Sequence, residues 1–318
     1  MRRNVAKEQD KELELRVIKD ILKERPLRDR MPEIKERLAR ANAKKFQLAD
    51  DGNTLLEGWT PGDGRTKVWR TVVPATLRET ILWSYHDDSG HPEIERMYGT
   101  VRLRYQWRGM FADLQRHVQG CEKCTLRNTG QKKTKGKMGL FTTTSGQWDI
   151  VSVDVIKIKA PTTTDNQAVV MLIDKFSRWV EAKAVPGETG EEVAKFLRQV
   201  MEHHGTPLQL LSDRGKAFLS QVVDLINKWG AVKRKRTVGF RPQCNGSAEN
   251  VQGSFVDMLA KAVDIRTDDW DAYLDEIIGD YNDQVNVATG VSPFMALYGH
   301  EKRKPVDEIG RASCRERV

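Results

Sequence analysis

Long apolar runs are missing from this 318-residue chain. None approaches the ~18 residues needed to cross a bilayer, which excludes a helical membrane span. The start, Met-Arg-Arg-Asn-Val-Ala-Lys-Glu, has no apolar stretch behind its charges, so a secretory signal is not expected. The expectation is a soluble, intracellular protein with no membrane partner. Cysteine is scarce: four residues in a chain of this length do not build a disulfide framework. Histidine numbers only six, so any clustering of these two residue types carries information. Charge is not scarce. Lys and Arg (53) outnumber Asp and Glu (45), leaving a net +8. That balance fits a partner that is a polyanion, because each phosphate neutralised releases counterions. A solvated basic surface accounts for the same excess equally well. The length allows two or three small domains, and hydrophobic residues at 39% suffice for at least one core.

The pattern along the chain changes several times. Residues 1–73 form an N-terminal extension, charged helices followed by a β-hairpin element. Leu13, Leu15, Ile18, Ile21 and Leu22 recur at helical spacing, Pro26 and Pro32 interrupt, and Asp50-Asp51-Gly52-Asn53 signals a turn. Residues 74–128 return to helical spacing through Leu77, Ile81 and Leu82, then Ile94, Met97, Val101 and Leu103, then Met110, Leu114 and Val118. Residues 129–146 are a basic linker bearing Lys132, Lys133, Lys135 and Lys137. Residues 147–300 begin with three β-branched runs, at 149–158, 168–173 and 179–185. Helix and strand patterns then alternate: helix 188–204, strand 208–212, helix 217–229, basic strand 231–238 and helices 245–263, 270–284 and 293–298. The class is α/β, a mixed sheet flanked by helices. Residues 301–307 would begin a further region. Residues 308–318, Glu308-Ile-Gly-Arg-Ala-Ser-Cys-Arg-Glu-Arg-Val318, look like a translated sequencing adapter, so they and Cys314 are expected to be foreign.

Two constellations carry chemistry. In the first, four residues separate His86 from His91, two separate Cys121 from Cys124, and twenty-nine lie between the pairs. Zinc takes four nitrogen and sulfur donors in a tetrahedron. A helical segment of ~50 residues has little core of its own, so one structural Zn²⁺ would supply folding energy. The competing account is a redox Cys pair with unrelated surface histidines. His117 falls within a helix pattern and reads as surface, and His203 and His204 end a helix, where a dipole or capping role is the default.

The second constellation is three carboxylates. Asp154 lies inside the strand Val151-Ser-Val-Asp-Val-Ile156, where a charge is costly unless paired. Asp213 ends a short buried strand, and Glu249 sits in the opening turn of a helix. Glu249 lies nearly opposite the apolar stripe Val251, Phe255 and Leu259, and its own face continues through Gly253, Val256 and Ala260. Three carboxylates brought together repel unless divalent cations neutralise them, and two such ions clamp the oxygens of a phosphoryl transfer. Mg²⁺ suits that role, with its preference for oxygen ligands and retained waters. Singly, each acid is explained as well by an ion pair or a cap. Asp174, a fourth strand-end acid, reads as a turn residue.

Against these residues the chain resembles a gypsy-class retrotransposon integrase. The likeness runs from about Phe46 to Tyr298. It rests on His86-Asp-Asp-Ser-Gly-His91, Tyr105-Gln-Trp-Arg-Gly-Met110, Cys121-Glu-Lys-Cys124, Ile173-Asp-Lys-Phe-Ser-Arg-Trp179, Ser212-Asp-Arg-Gly215, Pro242-Gln-Cys-Asn-Gly246 with Glu249, and Thr289-Gly-Val-Ser-Pro-Phe294. It implies a His-His-Cys-Cys zinc domain followed by an RNase H-like core. The core's triad, carried over, is Asp154, Asp213 and Glu249, holding two Mg²⁺ or Mn²⁺ ions. The implied reactions are trimming of a DNA element's 3′ ends by water and attack of the new 3′-hydroxyl on target DNA, with no covalent enzyme intermediate. Implied partners are double-stranded DNA, as element ends and target, and further copies of the chain. No small-molecule substrate is implied, and the site of action is the nucleus in a eukaryote. Release from a polyprotein is usual in this family, which leaves Met1 undecided as a native start. Candidate DNA contacts are the four linker lysines, Lys233 and Arg234 of a basic strand, and Asn245 and Gln252 flanking Glu249. Arg241, Asn250, Gly253 and Asn286 depart from the family pattern. They motivate an alternative, a catalytically decayed integrase-derived DNA-binding protein. A transposase of another element type is a third reading, against which the His-His-Cys-Cys segment speaks.

Overall fold

A computed structural model describes residues 5–27, 32–61, 67–127, 146–158, 162–212, 222, 224, 246–263, 269–304 and 306, without the side chains at 34, 35, 127, 246–250 and 252. By its contacts the chain divides into two compact units. One comprises residues up to Asp88, Glu93–Cys121 and the segment from Arg303; the other comprises Ser89–Pro92 and Glu122–Lys302.

The first unit opens with helices Val5–Gln9, Leu13–Leu22 and Glu33–Ala43. Strands β1 (Phe46–Leu48), β2 (Leu55–Trp59) and β3 (Val68–Val72) follow as an antiparallel meander. The expected turn joins β1 to β2. Asp51 Oδ1 accepts the backbone N–H groups of Asn53 and Thr54, both at 2.8 Å, and Gly52 supplies a φ of 65°. Burial pushes the Asp51 carboxyl up, but the hydrogen bonds from Thr54 and Asn53 outweigh it and hold the group below its ordinary value. Gln9, fully buried, clips the first helix to the sheet. Its amide donates to the carbonyls of Leu55 (3.1 Å) and Val72 (2.7 Å) and accepts from Leu55 N–H (2.8 Å).

Helices Ala75–His86, Ile94–Val101 and Met110–Gly120 pack around Leu77, Ile81, Met97, Val101 and Leu114, the stripes visible in the sequence. One element departs from the expected all-helical stretch. Tyr105–Gln106 forms β4 and adds to β3 in parallel, with Thr71 opposite Tyr105 and Val72 opposite Gln106. Two residues carry no readable period, so nothing in the local pattern marks them as a strand.

The second unit is built on a mixed sheet of order β7-β6-β5-β8. Strands β5 (Ile150–Lys157), β6 (Ala168–Asp174) and β7 (Val180–Val185) are antiparallel, and β8 (Gln209–Leu211) runs parallel to β5. Helix Gly190–His204 carries the chain from β7 to β8 and covers one face. Val193, Ala194, Leu197 and Val200 pack there on Val151, Val153, Val155, Val170 and Leu172. Helices Gly246–Ala262 and Leu274–Asp283 cover the other, placing Val251, Phe255, Ile277 and Tyr281 on Val169, Met171 and Ile173. Covered on both faces, β6 is buried at all seven positions, which is why its sequence is a continuous apolar run. This is the mixed, helix-flanked sheet expected of an RNase H-like core. The expected helix at 217–229 and basic strand at 231–238 lie outside the described residues. No helix among the described residues is long and apolar enough to cross a membrane.

Asp174 holds the β6–β7 turn. Fully buried, it accepts Ser177 Oγ–H (2.5 Å) and N–H (2.9 Å) on Oδ2, and the N–H groups of Trp148 (3.2 Å) and Phe176 (3.3 Å) on Oδ1. Asp174→Ala leaves the buried Ser177 N–H without its acceptor. It is expected to lower stability by about 2–4 kcal/mol, read as a shift of the urea midpoint.

Beyond that turn, Glu181 accepts from Trp179 Nε1 (2.8 Å) and pairs with His204 Nε2 (3.0 Å). Burial works to raise its carboxyl, yet these two hydrogen bonds prevail and hold it below the usual glutamate range. Glu181 therefore adds stability that is complete above that range and lost as pH falls through its depressed value. Glu181→Gln is expected to flatten the acid limb of a melting-temperature profile; an unchanged limb would remove this role.

Candidate metal centres

The first cluster is assembled from one stretch of chain. His86 is the last residue of helix Ala75–His86 and is fully buried. The chain then reverses through two successive left-handed residues, Gly90 (φ 69°) and His91 (φ 52°). Cys121 follows helix Met110–Gly120 in extended conformation, and Cys124 lies buried in helix Glu122–Arg127. The donor atoms of His86, His91, Cys121 and Cys124 all fall within 4.8 Å of one another. Zinc bonds of ~2.0–2.3 Å give a tetrahedron with edges of ~3.3–3.8 Å. The four donors are thus close enough to close on a single ion with small side-chain adjustments. Two nitrogens and two sulfurs are also the donor set a structural zinc takes.

His117, expected at the surface, plays a closer part. Its Nε2 stands 2.6 Å from Asp87 Oδ2, and its ring meets the edge of His86 with 5.4 Å between centroids. A His–Asp pair therefore braces the neighbour of one ligand. No local signal pairs His117 with Asp87, which stands thirty positions earlier in the chain.

Of the three carboxylates, Asp154 is described in full. It is partly exposed in β5, with Oδ1 accepting Val155 N–H at 2.8 Å. Alternation along β5 sends Val151, Val153 and Val155 to one face and Ile156 to the other, with the cluster of Val251 and Phe255. Asp154 shares the Ile156 face, the one on which helix Gly246–Ala262 lies. On that helix the expected stripe is buried at Val251, Phe255 and Leu259, while Gly253 and Val256 are exposed. Asp213, the side chains of Glu249 and Gln252, and the DNA-contact candidates Lys132, Lys133, Lys135, Lys137, Lys233, Arg234 and Asn245 lie outside what the structure describes. Lys157 is exposed and 3.9 Å from Glu188.

Residues 73–130 match the family described as integrase zinc binding domain, and residues 146–242 match the integrase core domain. The Tf2-3, Tf2-4 and Tf2-5 transposon polyproteins of Schizosaccharomyces pombe are each 25% identical over 227 residues, 70% of this chain. The chain spans 17% of the length of these curated relatives. Among solved structures, the HTLV-2 integrase catalytic core domain in complex with magnesium is similar in its trimeric form. The identity is 20%, with coverage of 48% of this chain and 99% of that one and a TM-score of 0.39. Its dimeric form gives 20%, 50%, 100% and 0.37.

Proposed function

We propose that this chain, which carries an integrase zinc binding domain followed by an integrase core domain, is the integrase of a retrotransposon and joins the element's DNA ends to host DNA. One observation supports the catalytic reading most directly. Asp154 shares a sheet face with the helix whose first turn contains Glu249. The β5–β8 ladder adds to it. Ile150 pairs with Gln209 and Ser152 with Leu211, and the same offset separates Asp154 from Asp213.

In this reading Asp154, Asp213 and Glu249 hold two divalent cations, Mg²⁺ or Mn²⁺. These ions would supply activation of the attacking oxygen and neutralisation of the leaving one. The protein's own part is placement. The amide of Val155 orients Asp154 Oδ1 from within a rigid central strand, and the helix stripe fixes the opening turn against the sheet. His86, His91, Cys121 and Cys124 hold a structural zinc and take no part in the chemistry. The partners are double-stranded DNA and further copies of the chain, since two ends must be joined together. The place of action is wherever host DNA lies, the nucleus in a eukaryotic cell.

The test is direct. Purified protein with Mg²⁺ and a duplex carrying the element's terminal sequence is expected to give trimmed and strand-transfer products on a denaturing gel. A folded protein that binds cognate ends and yields neither product would overturn the enzymatic reading in favour of a decayed DNA-binding descendant.

A further inference from the structure

Residues Ser89–Pro92, which include the zinc-site His91, belong by their contacts to the same compact unit as helices Gly246–Ala262 and Leu274–Asp283. Three successive residues are held there. Gln284 Nε2 donates to the carbonyl of Ser89 at 2.9 Å, with the Gln284 side chain buried. Gly90, at φ 69°, lies against Met258 so closely that a Cβ would stand 2.6 Å from its Cε. Lys261 Nζ donates to the carbonyl of His91 at 3.3 Å and pairs with Asp257 Oδ2 at 2.6 Å. The Lys261 side chain is 3% exposed. The helix that carries Cys124, Glu122–Arg127, packs against Gly246–Ala262 as well.

An ammonium is not buried at a helix–loop contact for packing alone, because a thioether or alkyl chain fills the same volume without desolvating a charge. Its donors are used here on a carboxylate and on the carbonyl of a residue held in left-handed conformation, where an L side chain is strained. Fixing that carbonyl fixes the peptide plane on the C-terminal side of the His91 Cα, and so restricts the direction in which the imidazole leaves the backbone. Gln284 does the same two residues earlier, and the absent side chain of Gly90 lets the segment seat between them.

We propose that Lys261 and Gln284 are positioning residues for His91, acting on its backbone to aim its ring at the zinc. The metal site is thereby coupled to the helix that carries Glu249. The inference rests on the zinc reading of His86, His91, Cys121 and Cys124, and the experiment separates the two. Full-length wild type, Lys261→Met, Gln284→Leu, the double variant and Lys261→Arg are loaded with Co²⁺ or Zn²⁺. Tetrahedral cobalt absorption and the rate of zinc transfer to a chromogenic chelator are followed, with far-UV circular dichroism as the check on folding. Wild type is expected to take one equivalent. Each single variant is expected to release it about tenfold faster, the scale on which supporting partners of a metal ligand act, and Lys261→Arg to restore retention. Wild type that binds no metal overturns the zinc reading. Wild type and a folded double variant that bind and release alike overturn the positioning role. Should the variants not fold, hydrogen exchange of wild type decides. Chelation is expected to speed amide exchange in Gly246–Ala262, and unchanged protection there overturns the coupling.

Discussion

Asp154→Asn is expected to abolish metal-dependent strand transfer while leaving the protein folded. The two halves of this expectation have separate causes. Asparagine keeps the shape of aspartate and retains a carbonyl oxygen able to accept Val155 N–H, the bond seen at 2.8 Å. Asp154 is partly exposed in β5, so its carboxylate is not a fully buried charge and the neutral amide fits the same place. Secondary structure and urea midpoint should therefore stay within about 1 kcal/mol of wild type. Chemistry is another matter. A neutral amide cannot hold a bridging cation against the remaining carboxylates. The rate of product formation is expected to fall by about a thousandfold or more, equivalent to ~4 kcal/mol of barrier. A second measurement isolates the metal from the DNA. Wild type should gain thermal stability on titration with Mg²⁺, because a ligand bound to the native state alone shifts the equilibrium. Asp154→Asn should lose most of that gain and, in chelator, melt no lower than wild type, since one source of carboxylate repulsion is gone. Strand transfer at the wild-type rate in Asp154→Asn would remove Asp154 from the site.

What the sequence disclosed was set by how local each signal is. The strand containing Asp154 was readable because five β-branched residues, Ile150, Val151, Val153, Val155 and Ile156, surround it. Helix Gly246–Ala262 was readable because Val251, Phe255 and Leu259 repeat at helical spacing, and these are residues buried against the sheet. The zinc set was readable because pairs of scarce residue types stand close together. Contacts made at long range were not. Lys261 sits one turn beyond Asp257 and looks like half of an exposed helical ion pair. Its burial depends on the His91 carbonyl, 170 positions earlier in the chain. Gln284 looks like an ordinary helix C-terminus for the same reason. His117 was read as surface because helical periodicity says nothing about an aspartate thirty positions away. The two-residue strand Tyr105–Gln106 exists only through its pairing with β3. In each of these cases the physical cause is a partner distant in sequence, and a local pattern carries no trace of it.

The zinc set leads to the second large effect. Cys124 is 2% exposed and His86 fully buried, so their donor atoms are removed from water whether or not a metal satisfies them. Around them are short helices, of which Glu122–Arg127 has six residues, too few to be stable alone. Helix Ile94–Val101 has eight and rests on the same small core as its neighbours. On the zinc reading, such a segment is stabilised chiefly by its ion. Structural zinc contributes on the order of 10 kcal/mol of apparent binding free energy near neutral pH, and that energy is folding energy when the unfolded chain has no preformed site. Cys124→Ser replaces a thiolate by a hydroxyl that zinc binds far more weakly. The variant is expected to hold well under one equivalent of zinc by atomic absorption. Its stability is expected to fall by about 5 kcal/mol or more, enough to unfold a domain of ordinary stability. Chelation of wild type should reproduce the loss, and re-addition of zinc should reverse it in wild type alone. The pH dependence has a definite sign. Zinc needs the thiolates and neutral imidazoles, so acid displaces it, and wild type should approach the stability of Cys124→Ser as pH falls below the histidine range. Stability and zinc content indifferent to Cys124→Ser would mean that the four donors meet within 4.8 Å for packing alone. The energy for these short helices would then have to come from the apolar contacts of Leu77, Ile81, Met97 and Leu114.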